Sequence, residues 1–248
     1  MEDSQILLKG NFSAEDIIIH NVEQSNRKID PEVEASLAQV WENNFKIAKE
    51  QGKLIFDGES FRLEEFKVIN GKLELTVSKF KYSVRSSLVS LAPKLIGKGM
   101  EYTANGLAIA GFIRTSDGKY IFGGKSGKTT STLKVDFIGG IVEPKELKNG
   151  KDLIECNKAE LKEEINIDAQ DIQDIEVTGI IFSPTSNIII LTNTELNLTS
   201  EEVLEKFRLE NDGEISEIIF KSPEELPDYV KEIGSYKPQA LELLNNLK

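Results

Sequence analysis

The sequence has few of the residues on which many active sites and structural centres depend. Its 248 residues include one cysteine, Cys156, and one histidine, His20. A single cysteine excludes an internal disulfide, and one cysteine with one histidine excludes a zinc site built from these two residue types. One histidine also leaves little room for a Ser–His–Asp triad. Any catalysis is therefore expected to use carboxylates, hydroxyls, lysines and recruited ions.

Positive charge and long hydrophobic runs are also scarce. Lys and Arg number 30 against 42 Asp and Glu, which gives a net charge of −12. Such a chain repels phosphate backbones, so we expect no nucleic-acid partner. The longest apolar runs, such as residues 188–191, are far shorter than the ~20 residues that cross a bilayer. Because residues 1–4 are acidic rather than basic, a secretory signal is not expected either, and the sequence predicts a cytoplasmic protein with no membrane partner.

The first hundred residues carry two strong local signals. Asp30 followed by Pro31 resembles a helix cap, and the apolar residues after it recur at helical spacing, which predicts a helix over residues 31–50. Asn70 and Gly71 lie between two runs typical of strands, which predicts a β-hairpin. The sequence therefore predicts an α+β region, residues 1–99.

Strand and helix signals alternate through the remainder, residues 100–248. Helices are predicted over residues 152–165 and from residue 200, with strands before and between them. The alternation lacks the regular cadence of a doubly wound sheet, so we expect an α/β fold with a mixed sheet and helices on both sides. The glycines at 97 and 99 mark the predicted boundary between the two regions.

The most informative stretch combines two neighbouring glycines with a run of glutamates. Gly139 and Gly140 follow an apolar segment, and Glu160, Glu163 and Glu164 lie on the helix predicted after them. At 100° per residue these three carboxylates share an arc of roughly 100° on the helix surface. Their repulsion is costly without a cation, and hard ions such as Mg²⁺ prefer oxygen ligands. A charged run alone is more often a solvated helix face, and the paired glycines favour a site instead.

This stretch resembles the signature of the Nudix hydrolases. That signature is a Gly, five residues, a Glu, seven residues, and then Arg-Glu-apolar-x-Glu-Glu-x-Gly-apolar. Gly140 and Glu146 match its first half with the required spacing. Its second half is matched by Glu160, Leu161, Glu163, Glu164 and Ile167. The resemblance extends over roughly residues 104–232.

The sequence departs from the signature in three places. The interval of seven residues is twelve here, residues 147–158. Ala159 replaces the arginine that would pair with Glu146, and Lys158 is the neighbouring candidate for that role. Asn166 replaces the final glycine, which is a mild change because Asn tolerates the left-handed conformation that ends helices.

The resemblance implies a Nudix-type α/β/α sandwich that acts as a pyrophosphohydrolase with Mg²⁺ or Mn²⁺. The metal ligands it implies are the carbonyl of Gly139 and the carboxylates of Glu160, Glu163 and Glu164, and these glutamates are also the predicted catalytic residues. Either Glu160 or a carboxylate from a later loop would take the proton from water. The candidates for a further carboxylate, left unranked, are Glu195, Glu210 and Glu214.

A second glycine-rich stretch, residues 123–130, invites comparison with a phosphate-binding P-loop. The pattern requires a glycine five residues before Gly127, where the chain has Phe122, so we do not predict a P-loop. Lys125 and Lys128 are instead predicted to contact a substrate phosphate beside the metal site, together with Gly140.

A looser similarity suggests the substrate. Residues 54–63 and Tyr82 are similar to the leader region of Nudix enzymes such as the uridine-diphosphate-glucose pyrophosphatases. This similarity implies a small-molecule nucleoside diphosphate derivative, a nucleotide sugar, cleaved to a nucleoside monophosphate and a sugar phosphate. The alternative is a Nudix-fold module that has lost catalysis and binds a nucleotide or a protein partner. The sequence does not indicate an oligomeric state.

Overall fold

The fold is built on one mixed β-sheet. The computed structural model describes residues 4–53, 55–128, 133–143, 146–210 and 212–244. The strands of the sheet are β1 (Gln5–Phe12), β2 (Ile17–Val22), β3 (Glu59–Ile69), β4 (Lys72–Lys81), β5 (Gly106–Arg114), β6 (Tyr120–Lys125), β7 (Val135–Asp136), β8 (Gly139–Ile141), β9 (Ile172–Phe182), β10 (Asn187–Leu196) and β11 (Ile215–Lys221). The helices are α1 (Pro31–Glu50), α2 (Tyr82–Ser90), α3 (Ala92–Leu95), α4 (Gly150–Ile165), α5 (Ser200–Leu209), α6 (Leu226–Ile233) and α7 (Lys237–Leu241).

Strand β5 lies at the centre of the sheet. The order along the sheet is β1-β9-β10-β5-β3-β4-β2, with β10 parallel to β5 and β2 parallel to β4. The other edge of β5 is shared by three strands in turn: β3 pairs at Gly106, β8 pairs at residues 108–110, and β6 pairs at Arg114. Strand β6 carries β7 and β11. Parallel and antiparallel pairs occur together, which confirms the predicted mixed sheet.

Helices cover both faces of the sheet. From one face of β5, Leu107 and Ile109 pack in a core that includes Leu153 of α4. From the opposite face, Ala110 and Phe112 pack in a core with residues of α6 and α7. A strand buried on both sides needs apolar residues at successive positions, as β5 has. The predicted α/β class with helices on both sides is therefore confirmed.

The two local signals of the N-terminal region are confirmed. The Asp30 carboxylate accepts hydrogen bonds from the backbone N–H groups of Glu32 and Val33, and α1 begins at Pro31 as predicted. Asn70 and Gly71 adopt φ values of +51° and +79°, as the tight turn between β3 and β4 requires. Helix α2 begins at Tyr82 and ends before Leu91, so that α3 is a separate short helix containing Pro93 at its start.

Residues on both sides of the predicted boundary at residue 99 share the sheet. Arg62 of β3 pairs with Gly106 of β5, and β1 pairs along β9. The division into regions 1–99 and 100–248 stays a prediction. Within the described ranges, no helix combines the length and apolar character needed to cross a bilayer.

The N-terminal residues also contact the start of α4. A Cβ on Gly150, the first residue of α4, would lie 2.2 Å from the carbonyl oxygen of Ala14, so the two backbones touch. Ile18 of β2 forms a bridge with Asn149, whose side chain caps α4 by accepting from the N–H groups of Lys151 and Asp152. The segment that contains β1 and β2 therefore fixes the position at which α4 begins.

Candidate metal and active site

The two glycines lie in β8, directly beside β5. Gly139 faces Ala110 and has φ +148°, and a Cβ there would lie 2.3 Å from the carbonyl oxygen of Ile109. At Gly140, a Cβ would lie 2.2 Å from Oε1 of Glu160. Only glycine allows this close approach of backbone and carboxylate. The structure thus brings Glu160 against the glycine pair.

Helix α4 presents its glutamates beside its core face. Leu161 and Ile165 are fully buried, which fixes the rotation of the helix about its axis. Glu164 is also buried, and both of its carboxylate oxygens have partners: Oε1 lies 2.6 Å from Lys125 Nζ, and Oε2 accepts from the Gly139 N–H at 3.1 Å. Glu164 therefore connects α4 to β6 and to β8. Glu163 lies on the exposed side of the helix.

The carboxylates raise one another's pKa values. Burial, followed by the negative charges of Glu164, Glu163 and Glu214, raises the pKa of Glu160 to about 8. Burial raises the pKa of Glu164 to about 7, although Lys125 and the Gly139 N–H oppose the shift. Burial is also the main cause of the raised pKa of Glu214. These shifts show that negative charge is concentrated here in a partly desolvated place, as is common at functional sites.

Of the three unranked carboxylates, the structure places Glu214 at the glutamates of α4. Glu214 lies just before β11, and its charge acts on both Glu160 and Glu164. The backbone N–H of Asp212 donates to the carbonyl of Glu163 at 3.0 Å, which holds this turn against the end of α4. Glu195 is placed elsewhere, near Arg114, and Glu210 is exposed at the end of α5. No pattern in the sequence distinguishes Glu214 from the other two.

The two predicted phosphate-binding lysines lie in different surroundings. Lys125 ends β6 and pairs with Glu164, a partner that the sequence did not predict. Although burial opposes it, the charge of Glu164 raises the pKa of Lys125. Lys128 is exposed in the turn that follows β6, close to Gly213. Residues 129 and 130, the rest of the stretch that was compared with a P-loop, lie outside the described residues.

The five additional residues of the interval lengthen α4 at its start. The helix begins at Gly150, well before Glu160, so the extra chain is accommodated in its first turns and in the loop before it. The suggested pairing of Lys158 with Glu146 is not seen: Lys158 Nζ lies 2.7 Å from Glu155, and Glu146 pairs with Lys148. Pro144 and Lys145 lie outside the described residues. Asn166 ends α4 with φ +58°, the left-handed conformation expected from the sequence.

A second group of polar residues borders the site, and the sequence analysis missed it. Lys237 is fully buried, and its Nζ lies 2.7 Å from Oδ1 of Asp136, while the Tyr236 hydroxyl donates to the same oxygen at 3.3 Å. The charge of Asp136 also acts on Lys125. These residues come from β7 and the start of α7, far apart in the chain and without a shared motif, so no local signal points to them.

The donor set is chemically suited to a hard divalent ion. Carboxylates of Glu160, Glu163, Glu164 and Glu214 and the carbonyl of Gly139 are the oxygen ligands that Mg²⁺ and Mn²⁺ accept. Among the described residues, no three acidic, histidine or cysteine side chains are already arranged around one point as metal ligands. One reason is visible, because Lys125 and the Gly139 N–H occupy both oxygens of Glu164. The residues fit such an ion if the pair between Lys125 and Glu164 opens.

Comparison with known proteins finds solved structures that are similar to part of this chain. No family model matches the chain, and no curated protein matches it. Tm1382, a protein assigned to the Nudix hydrolases, is 16% identical, with 57% of this chain and 71% of that chain covered and a TM-score of 0.40. The chain is similar in part to this Nudix structure.

Two further structures show the same degree of likeness. The MutT protein of Methanosarcina mazei Go1 is 20% identical, with 55% of this chain and 93% of that chain covered and a TM-score of 0.36. DR0079 of Deinococcus radiodurans is 18% identical, with 55% and 81% covered and a TM-score of 0.39.

Proposed function

We propose that this protein is a pyrophosphohydrolase of the Nudix type that uses Mg²⁺ or Mn²⁺ to cleave the diphosphate linkage of a nucleoside diphosphate derivative. The observation that carries the proposal is the approach of Glu160 to Gly140 and of Glu164 to the N–H of Gly139, with Glu163 on the same helix and the charge of Glu214 acting on both Glu160 and Glu164. The proposed substrate class is a nucleotide sugar, which follows from the looser similarity of residues 54–63, and the products are a nucleoside monophosphate and a sugar phosphate.

The site residues have distinct proposed roles. Glu160, Glu163, Glu164 and the carbonyl of Gly139 are the proposed metal ligands, with Glu214 as an additional carboxylate. When bound, the metal supplies positive charge to the diphosphate and lowers the pKa of a water molecule. Glu160, or Glu214 as the later carboxylate, is the proposed acceptor of the proton from water. Lys128 and Gly140 are the proposed contacts of a substrate phosphate, with Lys125 once it is free of Glu164.

Net charge supports the use of a metal and bears on the partners. A chain of charge −12 with clustered carboxylates repels an anionic diphosphate unless cations neutralise both. The same charge argues against nucleic acid as a partner. A cytoplasmic location without a membrane partner belongs to the proposal as well.

One observation favours a second candidate, a catalytically inactive module that binds a nucleotide or a protein. A lysine already neutralises Glu164, and Ala159 stands where the Nudix signature has an arginine. A protein that no longer needs a metal could retain such an arrangement for packing alone. The two candidates differ in whether any substrate is turned over.

A panel of substrates separates the two candidates. The purified protein is incubated with nucleotide sugars, ADP-ribose, dinucleotides and oxidised nucleoside triphosphates, each with Mg²⁺, Mn²⁺ or EDTA, and monophosphate release is measured. We expect metal-dependent release from a nucleotide sugar, reduced by about 10²-fold or more in Glu160→Gln and Glu163→Gln, since removal of a proton acceptor or ligand typically costs that much. Glu155→Gln, on the exposed side of the same helix, is the matched control and retains activity. Tight nucleotide binding without turnover under any metal would favour the module.

A further inference from the structure

Lys125 lies inside the carboxylate cluster rather than at its rim. Its side chain is 9% exposed and that of Glu164 is 2% exposed, and Nζ of the lysine lies 2.6 Å from Oε1 of the glutamate. Lys125 is the last residue of β6, so its backbone is fixed by pairing of Gly123 and Gly124 with β7 and of Lys125 itself with Ile215 of β11. The ammonium group is therefore held in place by the sheet.

Lys125 is also the cation that offsets the negative charge of the carboxylate cluster. In the described part of the chain, the ion pairs include no other lysine or arginine bound to Glu160, Glu163, Glu164 or Glu214. The nearby ammonium of Lys237 is engaged by Asp136 at 2.7 Å. One positive charge, that of Lys125, thus acts on three carboxylates, those of Glu160, Glu164 and Glu214, and the cluster remains short of positive charge.

The partners of Glu164 place Lys125 in competition with a metal. The Gly139 N–H occupies Oε2 of Glu164, and Lys125 occupies Oε1. An ion that takes Glu164 as a ligand must therefore displace one of them, and the lysine side chain moves more easily than the backbone of a glycine whose neighbours leave no space. Displacement of the ammonium exchanges one cation for another with higher charge.

We propose that Lys125 is a positioning residue that acts as the resident counter-cation of the cluster, holding Glu164 while the metal is absent and releasing it when a divalent ion binds. The inference rests on the proposed metal site. It has two consequences of opposite sign: Lys125 stabilises the metal-free protein, and it weakens metal binding. A lysine with only a packing role has the first consequence and lacks the second.

The test compares Lys125→Met with the unaltered protein in two measurements. Melting temperature is recorded in EDTA, and Mn²⁺ affinity is measured from the electron paramagnetic resonance signal of free Mn²⁺. In EDTA we expect Lys125→Met to melt roughly 5–10 °C lower, because it leaves buried carboxylates without a counter-charge. We expect its Mn²⁺ dissociation constant to fall by about 10-fold or more, because the ammonium that competes with the ion for Oε1 of Glu164 has been removed.

Two further variants control the comparison. Lys125→Arg keeps the charge and is expected to remain near the unaltered protein in both measurements. Lys128→Met removes a lysine three residues away that is exposed, and its melting temperature in EDTA is expected to be unchanged. If Lys125→Met does not fold, Lys125→Gln replaces it, since the amide still donates to Glu164 but carries no charge.

The sign of the change in Mn²⁺ affinity decides the outcome. Unchanged or weaker Mn²⁺ binding by Lys125→Met, whatever its melting temperature, overturns the inference, as does the absence of Mn²⁺ binding by every variant. Tighter binding supports it even if no substrate on the panel is hydrolysed, and in that case the proposed enzymatic function fails while the role of Lys125 stands.

Discussion

Two ion pairs in this molecule are both buried but have different surroundings. Arg62 and Glu64 form one of them in β3, with both side chains 1% exposed. Lys125 and Glu164 form the other, between β6 and α4. Each pair takes two charges out of water, which is costly unless the partners satisfy each other and their remaining hydrogen bonds.

The difference lies in what else surrounds the carboxylate. Glu64 also accepts hydrogen bonds from the Ser78 hydroxyl and from the backbone N–H of Asn26. Its neighbourhood is balanced, since Arg27, the other positive charge that acts on Arg62, is itself paired with Glu34. Glu164 shares the charge of Lys125 with two more carboxylates, those of Glu160 and Glu214. A balanced pair serves the fold, whereas a pair with excess negative charge is suited to receive a further cation.

The largest change in the free energy of unfolding is expected from breaking the balanced pair of Arg62 and Glu64. Arg62→Met leaves Glu64 buried without its cation, and we expect the free energy of unfolding to fall by about 3–5 kcal/mol. Chemical denaturation measures this loss. The double variant Arg62→Met with Glu64→Gln should lose less, since no charge remains unpaired. A loss below about 1 kcal/mol in the single variant would contradict this account.

For each group that titrates, pH is expected to have a smaller effect on the free energy of unfolding. This effect arises at the site of the unbalanced pair, from Glu160 and Glu164. The pKa values of Glu160 and Glu164 rise to about 8 and about 7, above the ordinary value of 4.5 that applies in the unfolded chain. Between these values the folded protein binds more protons than the unfolded one, so its stability falls as pH rises. For each of these two carboxylates, we expect the metal-free protein to lose roughly 2–4 kcal/mol between pH 5 and pH 8, at about 1.4 kcal/mol per pKa unit.

Denaturation in EDTA across this pH range measures the effect. Glu160→Gln should flatten the dependence, because it removes the group with the larger shift. Saturating Mn²⁺ should flatten it as well, since a bound cation favours the ionised carboxylates. Stability that increases from pH 5 to pH 8 in the metal-free protein would show that the carboxylates are already ionised and compensated.

The smallest change in the free energy of unfolding is expected at an exposed ion pair. This pair provides the reference for the two buried pairs. Lys28 Nζ lies 3.2 Å from Oε1 of Glu101, with side chains 60% and 45% exposed. Water and salt screen such pairs, so Lys28→Met should change the free energy of unfolding by less than about 1 kcal/mol. Denaturation at low and high salt measures it, and a loss as large as that of Arg62→Met would mean that burial does not distinguish these pairs.

The sequence predicted the features that depend on neighbouring residues. Helix α1 follows from the cap at Asp30, the hairpin from Asn70 and Gly71, and the approach of Glu160 to Gly140 from a compact motif. Strands β1 and β2 were not predicted because they are defined by pairing with β9 and β4, which lie far along the chain.

The site shows the same limit. The pair between Lys125 and Glu164 joins residues 39 positions apart, and Tyr236 reaches Asp136 across 100 positions. Glu214 could be named as a candidate and not ranked, because its proximity to Glu160 depends on how the turn at residues 212–213 packs against α4. Local patterns identified the acidic residues, and only the tertiary fold supplied their counter-charges.

The contact between Ala14 and Gly150 ties the beginning of the chain to the helix that bears the glutamates. This contact and the bridge from Ile18 to Asn149 mean that residues 14–18 support the first turn of α4. A shortened version of the protein that starts after residue 22 would keep every acidic side chain of the site. It would lose the backbone contacts that position the helix bearing them. Truncation at the N-terminal end is therefore expected to disrupt the site although it removes none of the site residues.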